Sequence, residues 1–209
     1  MAIDVTIADE LLTTTRAVRK RLDFTRPVPR EIILECVRIS QQAPTGANSQ
    51  GWRWIIIDDD QKRGQIARAY REVAGSIFSE ASKKAKASGA EQTARVYESA
   101  HYLVEHMHEV PVLVIPCLQG VFPPEFGMIA GSMIYPAVWS FQLALRARGL
   151  GSTLTTALVS LKQEAKAELL GIPSDVSVCA LLPVAYTIGT DFKPAVRPPP
   201  ETIVHWNRW

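Results

Sequence analysis

A polar loop at residues 43–53 carries more hydrogen-bonding side chains than a turn requires. Its sequence is Ala-Pro-Thr-Gly-Ala-Asn-Ser-Gln-Gly-Trp-Arg, and it joins a helical segment to the run Trp-Ile-Ile-Ile at 54–57. A turn needs only about two or three such residues. The surplus of amide and hydroxyl groups indicates a loop that hydrogen-bonds a flat polar ligand, with Trp52 as one wall.

Four arginines near the two ends of the sequence are candidates for binding a phosphate group. Arg16 and Arg19 lie in a basic segment, and Arg197 and Arg208 lie in the last twenty residues. A guanidinium fork matches the geometry of a phosphate, although any one of these arginines is more simply explained as solvated surface charge. Together with the polar loop and the turn at 149–153, whose backbone N–H groups are able to face a ligand, they suit a phosphorylated, planar cofactor.

The sequence gives little support to a nucleotide-binding loop, a metal site or a catalytic nucleophile. Gly46 and Gly51 have the glycine spacing of a phosphate-binding loop, but Trp52-Arg53 stands where that motif needs its Lys and hydroxyl residue. His101 and Glu105 share a helix face with only one imidazole, so a solvated helix face is preferred to a metal site. The sequence has no Gly-x-Ser-x-Gly elbow and no cysteine with an activating partner. We therefore predict no metal and no catalytic side chain.

Composition favours one soluble domain over residues 1–209. The chain is 47% hydrophobic and 21% charged, and its formal charge of +2 argues against a nucleic-acid partner. Cys36, Cys117 and Cys179 each lie among apolar neighbours and are expected to be small buried hydrophobes of a reducing compartment. No signal peptide is visible at the N-terminus, so a cytoplasmic location is expected.

The stretch 126–145 is uncharged and long enough to cross a bilayer. Polar and small residues interrupt it, and we interpret it as a core helix that is buried on all sides. In so small a chain, such a helix suggests that a second subunit supplies part of its cover. Its flank and face carry Phe122, Phe126, Tyr135 and Trp139, which are either aromatic walls of a substrate pocket or plain core.

The remaining pattern predicts helices separated by a few strands. Helices are expected at 7–12, from Pro29 to about 39, at 61–76, at 91–108, and after a capping box at 160–163 with an end at Gly171. Strands are expected at 54–57, 110–115 and 176–187. Residues 79–95 are predicted to be a mobile surface segment, and 190–209 an extended tail that wraps a partner subunit. The order of elements favours an α+β fold.

Several blocks of this sequence resemble the FMN-dependent nitroreductase family. They are Thr15-Arg16-Ala17-Val18-Arg19, Pro27-Val28-Pro29, the polar loop at 43–52, Gly149-Leu150-Gly151-Ser152, Arg197-Pro198 and the ending Trp206-Asn207-Arg208-Trp209. They occur in the family's order and span nearly the whole chain. The resemblance implies an α+β fold with a mostly antiparallel sheet surrounded by helices, in a domain-exchanged homodimer that has FMN at the subunit interface.

The resemblance also assigns cofactor-binding residues. Arg16, Ala17 and Arg19 would match the element that holds the phosphate and the pyrimidine edge of the ring. The loop residues Pro44, Thr45, Gly46, Asn48 and Gln50 would reach the ring from the other subunit. Leu154, Thr155 and Thr156 would bring a backbone N–H near flavin N5, and Arg197 and Arg208 would bind phosphate. Thr15 and Ala17 depart from the family's Arg and Ser, which leaves the phosphate one charge and one hydroxyl short.

By this resemblance the protein would be an oxidoreductase that takes hydride from NADH or NADPH and then reduces an electron-poor small molecule such as a nitroaromatic or quinone. Two alternatives stay open. One is a different flavin chemistry on the same scaffold, such as flavin cleavage, dehalogenation or oxidation of a heterocycle. The other is a flavin-binding or storage protein without turnover.

Overall fold

A six-stranded antiparallel sheet forms the centre of the protein, which is seen in a computed structural model describing residues 4–209. The strands are β1 (Leu22–Asp23), β2 (Trp52–Ile57), β3 (Val112–Gln119), β4 (Leu150–Ser152), β5 (Val176–Val178) and β6 (Leu182–Thr187). The helices are α1 (Val5–Thr14), α2 (Arg30–Ser40), α3 (Asp60–Ala87), α4 (Glu91–His106), α5 (Gly127–Arg146) and α6 (Gln163–Leu170). Residues 1–3 lie outside the described residues. The predictions of one domain over residues 1–209 and of no signal peptide both include them.

Strand β3 is the axis of the sheet. Its residues 112–118 are all buried, because hydrophobic clusters cover both faces of the sheet. Strand β2 pairs along one edge, while β5 and β6 pair with opposite ends of the other edge. The predicted strand at 176–187 is therefore two strands, separated where the chain passes from one end of β3 to the other. The prediction of an α+β fold with a mostly antiparallel sheet is confirmed.

The C-terminal half of helix α5 packs into the core, and its N-terminal half is largely exposed. Ile134, Val138, Phe141 and Leu145 are fully buried in a cluster shared with α2 and the sheet. Near its N-terminus, however, Met128 is 91% exposed and Ile129 is also exposed. Among the described helices, α5 alone is long and apolar enough to span a membrane, yet its second half is a core helix as predicted. The predicted burial on all sides is wrong within this chain, because Trp139 of that half is also exposed, at 43%.

Helices α3 and α4 form an antiparallel pair. Most of the segment at 79–95, which was predicted to be a mobile surface segment, lies within these two helices. Helix α3 continues to Ala87 instead of ending near Ser76, because Ala and Lys are strong helix formers and the segment packs against α4. Ser82 is buried there, and its hydroxyl lies 3.5 Å from the Ala94 carbonyl. The mobility of this segment stays a prediction.

Strand β4 occupies the stretch that was predicted to be a ligand-facing turn. Its three residues pair with β6, and the Val18 N–H donates to the Ser152 carbonyl at 2.9 Å. The strands come so close that a Cβ on Gly151 would lie 2.7 Å from Thr187 Cγ2 and 2.9 Å from Val18 Cβ. Glycine at 151 therefore lets β4 hold the basic N-terminal segment against the sheet.

The predicted capping box at 160–163 is wrong. The Ser160 hydroxyl donates instead to the Ala157 carbonyl at 2.7 Å, which closes a short 3-10 turn at Ala157–Ser160. Helix α6 starts at Gln163, whose amide reaches the Pro173 carbonyl at 3.0 Å. The predicted end at Gly171 is confirmed, since this residue has the left-handed φ of 66° that favours glycine.

The three cysteines are free thiols, of which Cys36 and Cys117 are buried. Burial raises the pKa of Cys36 to about 11, that of Cys117 to about 12 and that of Cys179 to about 11. Such thiols stay protonated at neutral pH and behave as small hydrophobic groups, as predicted.

Candidate functional site

The basic segment at 16–21 and the start of the C-terminal tail face each other across a cleft of about 510 Å³. The segment follows α1 as extended chain, and the parallel bridge between Ala17 and Ser152 fixes it to β4. Burial of Val18 turns the neighbouring arginines toward the cleft. The tail contributes Asp191, Phe192 and Lys193, and α4 contributes Ser99.

Positive charge dominates this cleft. Its lining includes Arg16, Arg19, Lys20, Arg21 and Lys193, against the single carboxylate of Asp191. Asp191 is paired with Arg21 at 2.6 Å, which leaves the other four cations without that partner. Arg16 donates to the Lys193 carbonyl at 3.1 Å and so ties the two sides together. A cleft of this charge favours a phosphate or another anionic group.

Arg19 connects the cleft to a second cavity of about 260 Å³. Burial lowers the pKa of its guanidinium, although an arginine remains charged at any ordinary pH. Its one side-chain hydrogen bond within the described residues is a long contact of 3.4 Å from Nη1 to the Ser99 hydroxyl. No carboxylate of the described chain pairs with it. A partly desolvated guanidinium with no carboxylate partner among the described residues favours an anionic or electron-rich ligand beside it.

The second cavity, which we call the ring cavity, lies between the α3–α4 pair and the segment at 153–156. Its lining is Arg19, Tyr70, Phe78, Val96, Tyr97, Ala100, Leu103, Thr153, Leu154, Thr155 and Thr156. The Tyr70 hydroxyl and the Thr155 hydroxyl are 3.1 Å apart, and burial raises the pKa of Tyr70. The cavity is thus aromatic and neutral except at Arg19, as a planar ring would require.

The segment at 153–156, which lines the ring cavity, carries polar groups without hydrogen-bond partners in the described structure. The Thr155 N–H donates to the Leu181 carbonyl at 3.0 Å and is therefore occupied. In the described structure the N–H groups of Leu154 and Thr156 make no such bond, and the buried Thr153 hydroxyl has no partner. Free donors flanking an occupied one are available to the edge of a bound ligand.

The polar loop lies apart from both cavities in this chain. Pro44, Thr45, Gly46, Asn48 and Gln50 line neither of them. The loop is held by its own bonds, from the Thr45 hydroxyl to the Ser49 carbonyl at 2.7 Å and from the Gln50 amide to Asn48 Oδ1 at 3.1 Å. Ala47 and Asn48 both have positive φ, 51° and 56°, a conformation that costs energy for residues other than glycine.

Trp52 does not form the expected wall beside that loop. It is 8% exposed, and its indole N–H donates to the Met133 carbonyl of α5 at 2.7 Å. Its position as the first residue of β2 directs the ring into the core, because alternate strand residues point to opposite faces.

The predicted tail arginines lie outside the cleft. Arg197 and Arg208 are both exposed and line neither cavity in the described chain. Lys193 and Arg21 supply the extra positive charge instead. Sequence reasoning missed Lys193 because a single lysine beside a proline carries no local pattern; only the fold brings it opposite Arg16.

The predicted aromatic pocket is also separate from the ring cavity. Phe122 and Tyr135 line a different cavity of about 460 Å³, where the Tyr135 hydroxyl donates to the Cys179 carbonyl at 3.1 Å. Phe126 and Trp139 are exposed on the α5 side. The aromatic residues of the ring cavity are Tyr70, Phe78 and Tyr97, and they were missed because only the packing of α3 against α4 brings them together.

The described chain thus has an antiparallel sheet, a basic cleft and an aromatic cavity, and Arg19 lines both the cleft and the cavity. The chain belongs to the nitroreductase family, whose model matches residues 12–186.

Similar proteins agree with this membership. The chain is 26% identical over 196 residues to an iodotyrosine deiodinase of Thermotoga neapolitana, covering 94% of this chain and 96% of the relative. A crystal structure of iodotyrosine deiodinase bound to FMN and 3-iodo-L-tyrosine has a TM-score of 0.70 at 23% identity, covering 96% of this chain and 98% of the other. A variant of the FMN and NADPH-dependent nitroreductase NfnB from sphigopyxis sp. strain HMH has a TM-score of 0.68 at 21% identity, covering 97% and 99%. The two structures share this fold.

Proposed function

We propose that the protein is an FMN-dependent oxidoreductase that takes electrons from NADH or NADPH and passes them to an electron-poor acceptor such as a nitroaromatic or a quinone. The observation that carries the proposal is Arg19, which lines both a cationic cleft and an aromatic cavity and has no carboxylate partner among the described residues. Bound FMN would supply the chemistry of accepting and donating hydride.

The residues of the two cavities suit this cofactor. Arg16 and Lys193 would hold the phosphate in the cleft, and Arg19 would stand beside the ring where reduction places negative charge. The free N–H groups of Leu154 and Thr156 would donate to the edge of the ring. Among the described residues that line the ring cavity there is no carboxylate or imidazole, which suits a reaction that needs no side-chain base.

Purified protein provides the test. We expect it to be yellow or to take up FMN, and to oxidise NADH or NADPH when a nitroaromatic or benzoquinone is added under anaerobic conditions. Because hydride transfer and acceptor reduction would use the same place, initial rates at varied concentrations of both substrates should give parallel double-reciprocal lines. A colourless protein that does not bind FMN overturns the proposal, and so does FMN binding without any oxidation of nicotinamide.

Reductive dehalogenation is the second candidate, supported by the 26% identity to an iodotyrosine deiodinase. It is placed second because the lining of the ring cavity, as described, offers no carboxylate to balance the ammonium group of an amino-acid substrate. Iodide release from 3-iodo-L-tyrosine with dithionite as reductant, faster than nitroaromatic reduction, would reverse this order.

We further propose a homodimer in which the polar loop of one subunit reaches the cleft of the other. The uncovered end of α5, the exposed apolar residues of the tail and the strained loop backbone at Ala47 support this arrangement. The free, protonated cysteines support a cytoplasmic location.

Replacing Met128 by lysine should shift the protein from dimer to monomer in analytical ultracentrifugation, since a charge would replace apolar contact area. Leu34→Lys is the matched control, because Leu34 is likewise exposed but lies on α2. Monomeric unsubstituted protein, or equal dimer fractions in the two variants, would contradict the proposed interface.

A further inference from the structure

The ring of Phe192 lies between two guanidinium groups at the point where the tail leaves the sheet. Arg21 Cζ is 4.1 Å from the ring centroid and Arg146 Cζ is 4.9 Å from it. Both distances are within the range of a cation–π contact. The ring is half-buried, while Asp191 and Lys193 on either side are exposed.

The same arginines also hold the backbone around Phe192. We call residues 188–193 the strap. Arg21 Nε donates to the Ile188 carbonyl at 2.8 Å, and Arg146 Nη2 donates to the Thr190 carbonyl at 3.2 Å. Further on, Arg21 pairs with Asp191 and Arg16 binds the Lys193 carbonyl. The strap is thus fixed by side chains of the basic segment and of α5.

The strap has no regular secondary structure, since residues 188–199 are in neither a helix nor a strand. Its position depends on these side-chain contacts and on the hydrogen bond from the Ile188 N–H to the Arg21 carbonyl at 2.8 Å. Phe192 is the strap's half-buried apolar anchor, and it lines the cleft together with its neighbours Asp191 and Lys193. Lysine has a flexible stem, and a fixed backbone is what keeps its charge in one place.

We propose that Phe192 is a positioning residue for phosphate recognition: its stack between Arg21 and Arg146 holds the strap so that Lys193 closes the phosphate end of the cleft. This inference rests on the proposed function. Phe192 should affect binding of the phosphate end of the ligand alone, because the ring cavity is lined by other residues.

The test compares FMN with riboflavin, which has the same ring and lacks the phosphate. Flavin-free full-length protein is titrated with each by fluorescence quenching. Phe192→Leu should weaken FMN binding about tenfold, which corresponds to about 1.4 kcal/mol, and riboflavin binding less than about twofold. Phe192→Tyr, which keeps the aromatic face, should restore FMN affinity.

Arg146→Met is a second probe that does not depend on the first. Arg146 does not line the cleft, so it acts on the phosphate end through the residues it contacts, which are Phe192, Thr190 and, at 3.4 Å, the Thr14 hydroxyl. The variant should also lose FMN affinity selectively. Arg148→Met removes the same charge two residues away, and Tyr186→Leu removes another aromatic stack, that with Arg26 at 3.4 Å. Both controls should keep the FMN-to-riboflavin ratio.

The possible outcomes separate the two proposals. Unchanged FMN affinity in Phe192→Leu and Arg146→Met, or an equal loss for both flavins, would overturn the role of Phe192 alone. Unsubstituted protein that binds neither flavin would overturn the proposed function and this inference with it.

Discussion

Arg19→Ala is expected to purify with little or no FMN, because the substitution removes the one charge shared by the cleft and the ring cavity. A hydrogen bond to a charged group contributes about 1.5–3 kcal/mol, so the dissociation constant should rise by about 10-fold to 100-fold. The measurement is the ratio of flavin absorbance to protein absorbance after purification, followed by titration with FMN.

Arg148→Ala is the matched control for this prediction. Arg148 also carries a full charge, but its guanidinium binds Glu35 Oε1 at 2.7 Å and the Ala144 carbonyl, away from both cavities. Its loss should leave the flavin content unchanged. Equal flavin content in the two variants would remove Arg19 from the site.

Gly151→Ala should lower the stability of the fold by about 1–3 kcal/mol, because the added methyl group overlaps Thr187 and Val18. In a chain of this size that corresponds to a fall in Tm of roughly 2–10 °C. Since β4 holds the basic segment in place, FMN affinity should fall as well. Thermal unfolding followed by circular dichroism gives the first quantity, and flavin titration gives the second.

Gly64→Ala is the control variant, for which an increase in stability is expected. Gly64 lies inside α3, and a Cβ there meets no described atom within 4 Å. Alanine should therefore stabilise the helix by about 0.5–1 kcal/mol, since glycine is the poorer helix former. If both alanine variants changed Tm in the same direction, crowding at Gly151 would not explain the effect.

The parts of the fold that the sequence predicted are those with a strong local pattern. The buried half of α5, the strand that became β3 and the end of α6 at Gly171 each follow from apolar runs or a glycine signal. Strands β1 and β4 were missed because two or three residues cannot establish a period of two. Their existence depends on pairing with β6, which is a long-range property.

The residues of the candidate site were likewise predicted only where the sequence has a local pattern. Arg16, Arg19 and Leu154–Thr156 were predicted from recognisable blocks, and the structure brings them to adjoining cavities. Phe192 and Lys193 have no local signal, because their surroundings come from α5 and the basic segment. The loop at Pro44 and the arginines at 197 and 208 stay predictions that concern a second subunit, which a single chain does not test.

The cleft takes its two sides from opposite ends of the polypeptide, the basic segment at 16–21 and the strap at 188–193. During synthesis the first side emerges before any strand of the sheet, and the second emerges after all six. Under the proposed function, FMN would therefore find both sides of its phosphate site only after the whole sheet has been made, so FMN binding would report finished chains and would not guide the early steps of folding.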